Sequence, residues 1–120
     1  MTRNRAGAEK AGRRGEGLAA LYLRLGGWRI LARRVRTARG EVDIVARRGR
    51  TLCFVEVKWR ASGSALDHAV TVANLRRIAA AAETIAPRFA RPGDSQRIDV
   101  LLMAPGRWPR RLVNVWQPGA

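Results

Sequence analysis

GEVDIVARRGRTLCFVEVKWR, residues 40–60, holds two apolar and β-branched runs, 41–47 and 51–59, on either side of an Arg-Arg-Gly-Arg turn signal. That pattern predicts a β-hairpin. With Arg48-Gly49 as a two-residue loop, Arg47 pairs with Arg50, and counting back sets Ala46 opposite Thr51, Asp43 opposite Phe54 and Glu41 opposite Glu56. A four-residue loop gives the same register. Side chains alternate along a strand, so Glu41, Asp43, Glu56 and Lys58 are expected on one face and Val42, Ile44, Val55 and Val57 on the other. Facing residues lie roughly 5 Å apart and diagonal ones roughly 7 to 8 Å. At an effective dielectric of about 20, each ionised carboxylate pair then repels by roughly 2 to 3 kcal/mol. A proton, the Lys58 ammonium or a divalent cation has to relieve that, and Mg²⁺ takes carboxylate oxygens in such groupings.

The chain around this hairpin has 120 residues, 47% of them apolar, enough for one domain with an ordinary core. Its 24 Lys and Arg against 9 Asp and Glu leave a net charge of +15, far beyond what solubility needs and suited to a polyanionic partner, above all nucleic acid. No lipidation motif and no apolar run long enough to span a bilayer is present, so neither a membrane partner nor export is expected. One Cys excludes an internal disulfide, and one Cys with one His cannot build a zinc site, which fits a reducing cytoplasm. Cys53, on the Val55 face, reads as a small buried hydrophobe.

Residues 1–7, MTRNRAG, read as a disordered basic tail, and 8–120 as a single domain. From Ala8 to Leu25 the pattern is helical, with Leu18, Leu21, Tyr22 and Leu25 forming an apolar stripe and Gly26-Gly27 closing it. Glu16 lies away from that stripe, beside Ala19, Ala20 and Leu23 on a face of small residues; by spacing alone it points to solvent. Trp28–Thr37 suits a strand with a bend or bulge, and it places Arg33, Arg34, Arg36 and Arg39 just ahead of the acidic hairpin, where a phosphodiester would meet them. ASGSA at 61–65 is a small loop, and Leu66–Ala86 an Ala-rich helix with Asp67 in its first turn and Pro87 ending it. His68 has no Ser or Cys partner at a recognisable spacing and reads as a surface residue. After a Pro/Gly connector at 86–96, residues 97–103 and 112–116 are expected strands. Asp99 is expected to pair with an arginine. The order αβββαββ predicts an α/β fold, a mixed sheet flanked by helices.

An acid on one strand, a turn, then Glu-x-Lys on the next, here Asp43 and Glu56-Val57-Lys58, resembles the pattern of the PD-(D/E)XK nuclease superfamily. GEGLAALYL at 15–23, GEVDIVAR at 40–47, FVEVKWR at 54–60 and RIDV at 97–100 resemble, more specifically, the blocks of the YraN-type family of small bacterial proteins described as predicted endonucleases. The resemblance covers nearly all of the chain after the tail. It implies a restriction-endonuclease-like fold in which Asp43, Glu56 and the backbone of Val57 hold Mg²⁺ (or Mn²⁺) and Lys58 contacts the attacking water or the scissile phosphate. Glu16 falls where similar archaeal Holliday-junction resolvases carry a helix-borne acid, which moves its expected place from solvent to the site. The chain departs from the family pattern at Asn74, where Lys is frequent, at Arg34, where Asn is common, and at 61–65, which lacks a Phe-Gly.

The residues fit that chemistry on their own terms. A cation between Asp43 and Glu56 would activate water, and Lys58 would stabilise charge developing on phosphate. Only Lys10 and Lys58 among the 24 basic residues are lysines, which favours a compact point charge at position 58. Two function classes follow. One is a metal-dependent endonuclease acting on DNA, including branched or damaged structures, with Arg33, Arg34, Arg36, Arg39 and Arg60 contacting the backbone. The other is a non-catalytic basic nucleic-acid-binding protein with a vestigial or structural acidic cluster, using Trp108 or Trp116 for base stacking. In a third, plainer reading Glu41 and Asp43 pair with Arg33, Arg36 or Arg39 across strands. Cutting both strands of a duplex would call for a homodimer, but no residue declares a dimer face.

Overall fold

A computed structural model describes residues 15–60 and 70–116. The expected tail at 1–7, the helix start at 8–14, the loop at 61–65, Asp67, His68 and the side chain of Trp116 lie outside the described residues. Helix α1 (15–25) leads into β1 (Arg29–Thr37), β2 (Gly40–Arg48) and β3 (Thr51–Trp59). Helix α2 (Val72–Phe89), β4 (Ser95–Met103) and β5 (Arg110–Trp116) follow. The order αβββαββ and the mixed sheet are those read from the sequence. The sheet runs β1-β2-β3-β4-β5, antiparallel throughout except for the parallel β3–β4 pair, which α2 connects. A parallel neighbour cannot be reached by a tight turn, so a crossover helix is required there.

The two helices cover opposite faces. On one, Ile78, Ala81, Ala82, Ile85 and Ala86 of α2 pack on Val45, Leu52, Phe54 and Ile98. On the other, Ala19, Ala20 and Leu23 of α1 pack on Ile44, Ala46, Cys53, Val55 and Leu101. The β1 bulge falls between Ile30 and Ala32, inside the strand for which the sequence predicts one.

Four expectations need correction. The hairpin pairs Arg48 with Thr51 and Val45 with Phe54, so its loop is Gly49-Arg50 and not Arg48-Gly49. Gly49 takes φ +59° at the first loop position, which a two-residue hairpin reserves for glycine. Pairing therefore slips by two residues, which preserves the facing of every side chain. The common apolar face fails at Val42, which packs with the α2-side cluster while Ile44, Val55 and Val57 pack on the α1 side. Its break in alternation lies opposite Arg34, whose φ of +53° leaves the extended region. The Leu18, Leu21, Leu25 stripe points outward, 43%, 52% and 81% exposed, and the small-residue face is buried. Finally α2 starts at Val72, with Thr71 accepting a hydrogen bond from the Asn74 N–H as its N-cap, and runs through Pro87 to Phe89. Pro87 is exposed, so the carbonyl it leaves unbonded in the last turn is open to water.

Candidate functional site

The β2–β3 ladder is paired as far as Ile44 and Val55. One step further, toward the mouth of the hairpin, Asp43 falls opposite Glu56, and there the Val57 N–H donates to Asp43 Oδ2 at 2.8 Å. A side chain takes a backbone partner's place, the strands part, and a cleft of about 190 Å³ opens, lined by Glu41, Asp43, Glu56, Lys58, Asn74, Arg77 and Ile78. Helix α2 supplies the far wall, packed in ordinary van der Waals contact with Gly40, whose φ of +144° is one that side chains rarely adopt.

Glu16 enters from the other layer. It is 7% exposed, on the α1 face that carries Ala19, Ala20 and Leu23 into the core. Close packing puts it there: a Cβ on Gly15 would lie 3.1 Å from Trp59 Cε3, so the first described turn of α1 presses on the residue after Lys58. Carboxylate oxygens of Glu16, Glu41 and Asp43 lie within 4.8 Å of one another. Oxygens bound to one Mg²⁺ at about 2.1 Å are roughly 3 to 4 Å apart, so this trio has the donor chemistry of a hard-cation site and needs only a small closure to reach its spacing. The ligand set read from the sequence was Asp43, Glu56 and Val57. The structure groups Asp43 with the two glutamates, uses the Val57 N–H to orient Asp43, and turns Glu56 toward Lys58, whose Nζ is 3.3 Å from Glu56 Oε1.

Charge balance singles out Asp43. Glu16 accepts from Arg34 Nε, Glu41 from Arg36 Nε at 3.0 Å, and Glu56 faces Lys58. Among the described residues Asp43 has no ion pair. Burial, and next the charge of Glu56, push its carboxyl up to about 8 against the pull of the Val57 N–H. Burial also raises Glu56, with Lys58 opposing.

Residues 15–103 match the family described as uncharacterised protein family UPF0102. The chain belongs to the UPF0102 family. A UPF0102 protein of Sphingopyxis alaskensis is 62% identical over 114 residues, which is 95% of this chain and 98% of that protein. One from Erythrobacter litoralis is 57% identical over 111 residues, 92% and 96% of the two chains. This is the YraN-type group that the sequence blocks resemble. The UPF0102 match begins at Gly15-Glu16 and ends with β4, so it holds every carboxylate of the cleft, Lys58, Asn74 and Arg77, and leaves out Trp108 and β5.

The expected arginine rim is only partly free. Arg33 is exposed, but Arg34 and Arg36 are engaged with Glu16 and Glu41, Arg39 lies 3.6 Å from Glu83, and Arg60 donates to the Trp59 carbonyl at 2.8 Å. The plainer reading of cross-strand pairing thus holds for Glu41 with Arg36. Asp99 pairs with Arg97 at 3.2 Å and Arg111 at 3.6 Å, as expected. Cys53 is buried, its thiol pushed up to about 12 chiefly by that burial. Arg77 was not anticipated; its one sequence signal is the i, i+3 spacing from Asn74, whose Oδ1 it bonds at 3.3 Å. Arg34 takes φ +53°, a left-handed backbone that Asn tolerates better than Arg does. Among the described residues no helix is long and apolar enough to cross a membrane.

Proposed function

We propose that this protein is a metal-dependent endonuclease that hydrolyses phosphodiester bonds in DNA. The observation that carries the reading is Asp43: a largely buried carboxylate without a cation of its own, among three others, in a cleft that also holds a lysine. A structural cluster has no reason to leave a largely buried acid without a cation, because the cost is paid in stability. A catalytic one does.

A Mg²⁺ or Mn²⁺ ion held by Asp43 with Glu16 and Glu41, or with Glu56, would polarise a phosphoryl oxygen and lower the pKa of a bound water. The chain's own groups do the rest. The Val57 N–H fixes the Asp43 carboxylate, Glu56 holds the Lys58 ammonium at the cleft, and that ammonium stabilises charge developing on the phosphate. Arg33, Arg39 and Arg60 near the mouth, and Arg77 with Asn74 on α2, supply contacts for the flanking backbone. One observation favours the second reading, a non-catalytic DNA-binding protein: Arg34, Arg36 and Lys58 already pair with three of the four carboxylates.

Incubation with single-stranded, duplex, flapped and four-way DNA in Mg²⁺ or Mn²⁺, with Glu56→Ala and Lys58→Ala beside wild type, separates the two. Metal-dependent cutting by wild type alone supports the nuclease. Binding that falls steeply with salt, with no cutting of any structure, gives the second reading the lead.

A further inference from the structure

We propose that the face built from Leu18, Leu21 and Leu25 of α1 with Trp108 of the β4–β5 turn is the surface through which two copies of this chain pair. Among the described residues, the three leucines and Trp108, 90% exposed, are four of the six large apolar side chains left exposed. They share one groove of about 320 Å³ with Tyr22, Trp59 and the 103–109 segment. Their exposed parts amount to roughly 500 Å², at the upper end of the largest apolar patch a monomer carries, a patch that is often functional.

A second copy fits this face better than nucleic acid or an unrelated protein. Leu18, Leu21 and Leu25 are spaced three and four apart, the seam by which one helix packs along another. The patch carries a projecting indole and a recess side by side, the self-complementarity that a two-fold contact requires. Among the described residues its lining holds a single charged one, Arg107. In a chain of net charge +15, that is where two copies could meet with least repulsion. Roughly 500 Å² per partner is less than the roughly 800 Å² of a standard interface, so the pairing is a weak one that needs high concentration. Glu16 lies on the opposite side of α1, so pairing here leaves both clefts open. The proposal rests on none of the cleft chemistry, and its test does not read activity.

Sedimentation velocity of the full chain, from micromolar to sub-millimolar concentration, should give twice 13.3 kDa. Leu21→Glu and, separately, Trp108→Ala should give the single-chain mass with unchanged far-UV circular dichroism; both sites are exposed, so the fold should survive. Arg24→Ala, an exposed change off the seam, should leave the dimer intact. Raising salt should tighten the dimer by screening the like charges, the reverse of its effect on DNA binding. A wild-type monomer at the highest concentration, or a dimer that persists in both variants, overturns the proposal. So does a monomer whose Trp108 fluorescence is quenched by single-stranded DNA, which would assign the face to bases.

Discussion

At the tip of the β2–β3 hairpin Asp94 accepts from both Arg47 Nη1 and Nη2 at 2.8 Å and from the Arg91 N–H at 2.7 Å, and these bonds hold its carboxyl down to about 2. At the mouth, on the same two strands, Asp43 has one backbone donor and three carboxylates for neighbours, and is held up to about 8. Both acids are screened from water. The tip compensates its charge within the chain, with the forked geometry that suits arginine to a carboxylate. At the mouth no cation among the described residues pairs with Asp43, and a proton held up to about pH 8 takes that place. One end ties α2 and β4 to the hairpin, and the other is where the proposed cation would sit.

The sharpest break of the comparison is to neutralise each acid in turn. Asp43→Asn keeps an oxygen for the Val57 N–H but removes the charge. Cleavage should fall on the order of a hundred- to a thousandfold, while DNA binding in EDTA stays equal or tightens. Asp94→Ala should do the reverse, because it strands the Arg47 guanidinium in a pocket where its side chain is 7% exposed. It should lower the melting temperature more than any substitution at the mouth, with the surviving folded fraction still cutting. If Asp43→Asn cuts like wild type, the uncompensated charge has no catalytic meaning.

The next effect is in pH. Asp94 is depressed from its ordinary value of 3.8, so its stabilisation is complete above about 4 and is lost as pH falls toward 2. Asp43 is raised, so between about 4 and 8 the unfolded chain has released a proton that the folded chain keeps, and stability falls as pH rises through that window. Melting in EDTA should show that decline, Asp43→Asn should flatten it, and Mg²⁺ should raise the wild-type midpoint most near pH 8. A pH-independent wild type, or a metal effect equal in both proteins, would mean that Asp43 is already compensated.

Much of this contrast was legible in the sequence. The hairpin, the grouping of Glu41, Asp43, Glu56 and Lys58, and the αβββαββ order follow from period-two alternation and turn residues, which depend on local geometry. Register was not legible, because Arg-Arg-Gly-Arg admits two loops and only the φ at Gly49 decides between them; the error was harmless to the site because a slip of two keeps each face. The facing of α1 was only half legible: its small-residue face could be read as one that approaches another element, yet spacing alone sent Glu16, on that face, to solvent. Bulky leucines define the larger stripe, but the sheet is approached by the side with Gly15, Ala19 and Ala20, whose small volume lets the helix come close, and only the tertiary contact reveals that. The Arg47–Asp94 pair joins residues 47 apart in sequence and has no local signal at all.

Gly15→Ala tests how closely the mouth depends on that approach. Alanine gains up to about 1 kcal/mol of helix propensity, while a Cβ at 3.1 Å from Trp59 Cε3 must push the indole or the helix by a few tenths of an ångström. The two terms are of similar size, so stability should change by less than about 1 kcal/mol in either direction. The displacement falls directly on Glu16 and on the strand end bearing Lys58, where misplacements under 1 Å cost on the order of tenfold in rate. Circular dichroism melts and cleavage rates measured together should therefore part company. A proportional loss of both would show that α1 serves only to cover the sheet.

The smallest effect is expected at Arg34. Its φ of +53° is unfavourable for a residue with a long side chain, and its guanidinium holds Glu16 from a position where the side chain is 40% exposed. Arg34→Asn eases the backbone and removes that ion pair, which water already screens. The two nearly cancel, so the midpoint should move by no more than about 4 °C. What changes is the charge at the mouth: Glu16 loses its cation and joins Asp43 in needing one. If the trio binds metal, the variant should take up Mg²⁺ more tightly than wild type, read as a larger rise of the melting midpoint at the same sub-saturating Mg²⁺ and a lower half-maximal concentration for cleavage. If Arg34 is instead the permanent counter-ion of Glu16, Arg34→Asn should melt lower and gain nothing from Mg²⁺, and the mouth would then be compensated from within, like the tip.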